Sequence, residues 1–71
     1  MVEPGRPTRM HRLAEGYDVP VWPASPATVM QAVAARGWRI REGDELETAI
    51  AARKIVGAIA EGNTVVFCTR G

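Results

Sequence analysis

The sequence predicts a small α+β domain in which a mainly antiparallel sheet, built from an N-terminal hairpin and a C-terminal strand, is covered by two helices in two layers. Three observations carry that expectation. Apolar and polar residues alternate through Tyr17-Asp18-Val19-Pro20-Val21-Trp22, the period of a half-buried strand. Thr64-Val65-Val66-Phe67-Cys68-Thr69 is rich in β-branched and aromatic residues, which fit a pleated surface. Between these strands lie two segments with apolar residues at three-to-four spacing and recognisable start and stop signals.

Taken in order, residues 1–8 hold Pro4, Gly5 and Pro7 without periodicity and read as a flexible tail; residues 9–71 form the single domain. Residues 9–22 read as a hairpin turning at Glu15-Gly16. Pro20 has no N–H for a ladder, so its strand is expected at an edge or at a bulge. Ser25 is placed to cap a helix with Pro26 at its first position. Val29, Met30, Val33 and Ala34 form the apolar stripe of that helix, and Arg36-Gly37 ends it. Trp38-Arg39-Ile40-Arg41 alternates apolar and basic residues, as a short strand would.

Glu42-Gly43 then turns into a second helix over residues 46–60. Asp44 is expected to cap it, with Glu47 reaching back in a capping box, and Gly62 to stop it. Leu46, Ala49, Ile50, Arg53, Val56, Gly57 and Ala60 follow helical spacing, and Ile55 and Ile59 widen the stripe. A helix so apolar is buried on more than one face. The last strand is apolar on both faces and is expected at the sheet centre.

The core of a 71-residue chain supplies roughly 3–5 kcal/mol of net stability, so chains of this size recruit a disulfide, a metal or a partner. One cysteine, Cys68, excludes an internal disulfide, and one histidine beside it makes a protein metal site a poor expectation. A homodimer through the long helix is the expected supplement, with Ala51, Ala52, Ile55 and Ile59 at the interface.

Net charge is +1, so no strong global field steers the chain to nucleic acid or membrane. Eight arginines against one lysine, with eleven alanines, fit a GC-rich coding sequence. The N-terminus lacks the apolar stretch of a secretory signal, and no window approaches the ~18 apolar residues of a membrane span. With an unpaired cysteine, these features place the expectation in the cytoplasm.

No catalytic set emerges. His11 lies between Arg9 and Arg12 without an orienting acid or a nucleophile, and reads as an exposed histidine. Cys68 has no CxxC partner and reads as a small buried hydrophobe. Ser25, the single serine, is explained as a cap. Glu42, Asp44, Glu45 and Glu47 cluster at a helix N-terminus, where the helix dipole is sufficient reason for them. Gly57-Ala58-Ile59-Ala60-Glu61-Gly62-Asn63-Thr64 has glycines at phosphate-loop spacing, but it lacks the lysine and is expected to run from helix into strand, the reverse of that loop.

No catalytic, cofactor or metal residues are therefore assigned. Arg36, Trp38, Arg39 and Arg41, with Glu42, Asp44, Glu45 and Glu47, form the expected partner-binding surface. The functional expectation is a non-enzymatic protein-binding regulator or inhibitor. Its size is that of small phage-encoded regulators such as anti-CRISPR proteins, an analogy of format carried by no residue. The alternative is a DNA- or RNA-binding regulator that uses the arginines around Trp38, since arginine and an aromatic together can hold phosphate and stack on bases. A third reading is a subunit of a larger enzyme.

Overall fold

The computed structural model describes residues 5–71; residues 1–4, part of the expected tail, lie outside the described residues. The strands are β1 (Arg9–Ala14), β2 (Tyr17–Pro23), β3 (Arg39–Arg41), β4 (Ile55–Glu61) and β5 (Thr64–Thr69). The helices are α1 (Val29–Ala35), entered through a single 3-10 turn at Pro26–Thr28, and α2 (Gly43–Ala51). The strands form one sheet in the order β1-β2-β4-β5-β3. This is an α+β fold, but its sheet is mixed where a mainly antiparallel one was expected: β2 and β4 run parallel, and the other neighbours antiparallel.

The parallel pair follows from the largest departure from the sequence reading. The expected helix over residues 46–60 stops at Ala51, and the apolar run after it is the central strand β4. A continuous apolar run has no periodicity that separates a buried strand from a buried helix, and β-branched Ile55, Val56 and Ile59 favour the strand. The break occurs at Arg53, which takes the left-handed conformation with φ 56°. Its N–H donates to the Ile50 carbonyl and the Lys54 N–H to the Ala49 carbonyl, the paired bonds of a Schellman motif. Glycine is the usual residue there, so an arginine hid the stop. Gly62, expected to end the helix, instead has φ 56° in the two-residue turn between β4 and β5.

Asp44 is likewise not a cap. Glu42 precedes the helix with extended backbone, and no side chain caps that end. Asp44 and Glu45 lie in the first turn, where the dipole favours them. The start of α1 follows the sequence: the Ser25 N–H donates to Thr28 Oγ1 at 3.1 Å, and the Thr28 N–H to the Ser25 carbonyl at 2.9 Å. Met30, assigned to the buried stripe, is 67% exposed, while Val29 and Val33 are buried.

Pro20 sits in an interior strand, between β1 and β4. The Val21 carbonyl faces β1, where it accepts from the Thr8 N–H at 2.8 Å. Alternation then turns the Pro20 nitrogen towards β4, whose ladder begins only at Val21↔Ala58. The missing donor therefore costs no ladder bond. β5 is interior, but the centre belongs to β4. Residues 5–8 of the expected tail are tied down, with the Trp22 indole N–H donating to the Gly5 carbonyl at 2.7 Å.

The core divides between the two faces of the sheet. Val29 and Val33 of α1 pack with Ile59 and Cys68, and with Trp22, Trp38, Ile40 and Val66 around them. Ala49 of α2 packs with Val19 and Ile55, beside Leu46, Ile50, Tyr17 and Phe67. Neighbours Phe67 and Cys68 point to opposite faces and each joins a different helix, so the two helices do not share one covered face as expected. A register shift at Val56 turns Ile55 towards α2 and lets Gly57 and Ile59 face α1.

Gly57 is where the α1 side is decided. A Cβ there would lie 2.5 Å from Cη2 of Trp38 and 3.0 Å from Cζ3 of both Trp38 and Trp22. The two indoles rest directly on the backbone of the central strand. Gly57→Ala is expected to destabilise the fold by about 1–3 kcal/mol, the usual cost of overpacking a closed site. It should lower the urea midpoint, while Ala58→Gly, which empties space instead of filling it, should leave the Trp22–Trp38 contact in place, as tryptophan fluorescence reads.

Candidate functional site

The sequence-assigned surface separates into two groups. Arg36 and Trp38 belong to the α1 side. There the Trp22 and Trp38 rings meet at 5.5 Å between centroids with a 59° tilt, a geometry worth about 0.5–1.5 kcal/mol beyond burial. The Arg36 guanidinium lies 4.8 Å from the Trp22 ring centre and 5.4 Å from that of Trp38. Its Nη1 donates to the Ala32 carbonyl at 2.8 Å, which fixes it over both rings. Both indoles and Arg36 remain half-exposed.

Pairing extends this surface across the hairpin. Met10 lies opposite Pro20, and Pro20 is two residues from Trp22, so all three share a face. Met10 is 57% exposed and Pro20 half-exposed. Trp22 is thus the centre of an apolar surface with one cation on top. The available signal was the spacing of Pro20 and Trp22 on the face opposite Val19 and Val21.

Arg41 belongs elsewhere. Its Nη1 donates to Glu45 Oε2 at 2.7 Å, its Nε to Thr69 Oγ1 at 3.1 Å and its Nη2 to the Gly71 carbonyl at 3.3 Å. These bonds tie β3 to α2 and to the end of β5, a structural use of both Arg41 and Glu45. They border a cleft of about 380 Å³ that Asp44, Thr48 and Lys54 also line. Arg39, Glu42 and Glu47 are exposed and make no side-chain hydrogen bond among the described residues.

The expected dimer surface loses its apolar half. Ile55 and Ile59 are 3% and 0% exposed inside the monomer's own core, because they belong to β4 and not to a helix. Ala51 and Ala52 are exposed at the end of α2.

The residues with reactive groups are each engaged. Arg9 Nη1 donates to His11 Nδ1 at 3.2 Å, and the His11 ring packs on Phe67 at 5.2 Å. Ser25 is part of the α1 entry. Cys68 is fully buried, and burial lifts its thiol from 9.0 to about 11 against the opposing charge of Arg36. No group of three or more His, Cys, Asp or Glu residues that could hold a metal occurs among the described residues. No helix among them is long and apolar enough to cross a membrane. Compared with protein-family models, curated proteins and solved structures, the chain matches none.

Sequence reasoning also passed over Arg53, Lys54 and Arg70, which border a second cleft. Arg53 lies over the Tyr17 ring at 5.1 Å, and its Nη2 donates to the Glu15 carbonyl at 3.4 Å. The left-handed backbone at a non-glycine residue costs about 1–2 kcal/mol.

Cys68 supplies a test of the buried sheet. The unfolded thiol loses its proton near 9.0 and the folded one near 11, so deprotonation favours the unfolded chain between those values. The thiol's contribution to stability is complete below about pH 9 and is lost as pH climbs towards 11. The fall in urea midpoint over that window should be smaller in Cys68→Ala. Iodoacetamide should label native Cys68 far more slowly than the urea-unfolded chain.

Proposed function

We propose that the protein is a small non-enzymatic regulator or inhibitor that acts by binding a protein partner on the face carrying Met10, Pro20, Trp22, Arg36 and Trp38. The observation that carries this reading is the half-exposed tryptophan pair held under Arg36, with a mostly exposed methionine on the same face. Tryptophan and arginine dominate the energetics of protein interfaces, and methionine is enriched there. The pair is already rigid before binding, so little side-chain freedom is lost when a partner covers it. Arg36 keeps N–H groups beyond the one used on Ala32, which suits a partner offering a carboxylate beside an apolar pocket.

Support for a non-enzymatic role comes from the engagement of His11, Ser25 and Cys68 in packing and turn contacts. The nucleic-acid alternative is weakened because Arg41, one of the three arginines around Trp38, is paired to Glu45.

Affinity capture from nuclease-treated host lysate tests the reading. A single protein should be retained by the wild type, and its affinity should fall at least tenfold in Met10→Glu at an unchanged urea midpoint, because a side chain this exposed contributes little to the fold. Capture that requires nucleic acid, or that is indifferent to both Met10→Glu and Arg36→Gln, contradicts it.

A further inference from the structure

Among the described residues, left-handed backbone is taken by glycine with one exception. Gly16, Gly37, Gly43 and Gly62 all have φ between 56° and 72°, and among the described non-glycine residues only Arg53 joins them. A glycine would satisfy the Schellman turn without strain, so whatever Arg53 adds there comes from its side chain. Part of that is structural, since the guanidinium covers Tyr17 and reaches Glu15. Those contacts use one of its five N–H donors.

Arg53, Lys54 and Arg70 line one cleft of about 390 Å³, with Val56, Thr69 and Gly71 completing the wall and no acidic side chain among them. The ion pairs of the described residues are Arg12 with Asp18 and Arg41 with Glu45, so all three cations of the cleft are unpaired there. The carbonyl end of α2 accounts for cations at Arg53 and Lys54. It does not account for Arg70, which arrives from the far end of β5. Like charges that line one cleft repel, and an anion bound among them reduces that cost. Thr69 accepts from Arg41, and its own hydroxyl proton has no acceptor among the described residues.

We propose that this cleft binds the phosphate group of a small phosphorylated molecule. Arginine presents a planar fork that matches two phosphate oxygens, and lysine adds a mobile point charge. The cleft's neighbour shares Lys54 and Thr69 but carries Asp44 and Glu45. Arg41 lines that neighbour too but is paired with Glu45, and Asp44 is unpaired among the described residues, so the neighbour offers a polyanion no further free cation and the ligand is a local anion. This site is separate from the Met10–Trp22–Trp38 face and does not depend on it.

The test is a titration of the full ¹⁵N-labelled chain with inorganic phosphate, at constant ionic strength set with chloride. Saturable shifts should be confined to the amides of residues 53–56 and 69–71 and to the Arg53 side-chain Nε–H. The side chains of Lys54 and Arg70 make no hydrogen bond among the described residues, so Lys54→Gln and Arg70→Gln should keep the wild-type urea midpoint and each weaken phosphate by about tenfold. Equal shifts with chloride alone, or unchanged phosphate affinity in the Lys54→Gln/Arg70→Gln double variant, would overturn the proposal. A short DNA duplex that binds through these residues much more tightly than pyrophosphate would overturn the small-ligand assignment in favour of a nucleic-acid backbone.

Discussion

Two indole rings resting on a strand position that has no side chain set the terms for the α1 side of this molecule. Trp22 comes from β2 and Trp38 from the approach to β3, and both reach Gly57 at the centre of the sheet. Any Cβ there would displace Trp38, because the rings approach closer than real Cβ contacts allow. The contact joins segments far apart in sequence in a chain with little core to spare. It also fixes Arg36, whose charge is held over the rings by the Ala32 carbonyl. Cation–π contacts of this kind contribute about 0.5–2 kcal/mol depending on desolvation.

That arrangement is structural on its inner side and open on its outer side. Inward, the rings complete the cluster around Val33, Ile59 and Cys68. Outward, they continue into Pro20 and Met10. The same residues therefore support the fold and offer a rigid surface to a partner, which is why Met10, at the rim, is the informative position to change. On the opposite face α2 closes over Phe67 and Tyr17, and Arg53 locks its end to the hairpin.

Much of this was legible in the residues. The hairpin turning at Glu15-Gly16, the Ser25 entry into α1, the short strand at Arg39–Arg41 and the last strand all follow from alternation, turn chemistry and β-branching. The break between α2 and β4 was not legible, because a helix that ends on arginine carries none of the glycine or proline marks by which stops are read. That single omission turned Ile55 and Ile59 from core residues into a supposed dimer surface and turned a hairpin glycine into a helix stop. It also concealed the parallel pairing of β2 with β4. At the candidate site Arg36 and Trp38 were legible as an aromatic-basic pair. Trp22 was not, because its partner Gly57 stood inside the misread helix.

The most direct measurement is the proton NMR of Gly57. With both indoles on its backbone, its Hα protons should be shifted strongly upfield by ring currents and should show NOEs to the Trp38 and Trp22 ring protons. Strand-type cross-peaks between Ala58 and Phe67 should accompany them. Gly57 Hα signals at ordinary positions, with helical i to i+3 NOEs running from Ala52 to Ala60, would contradict the account and restore one long helix.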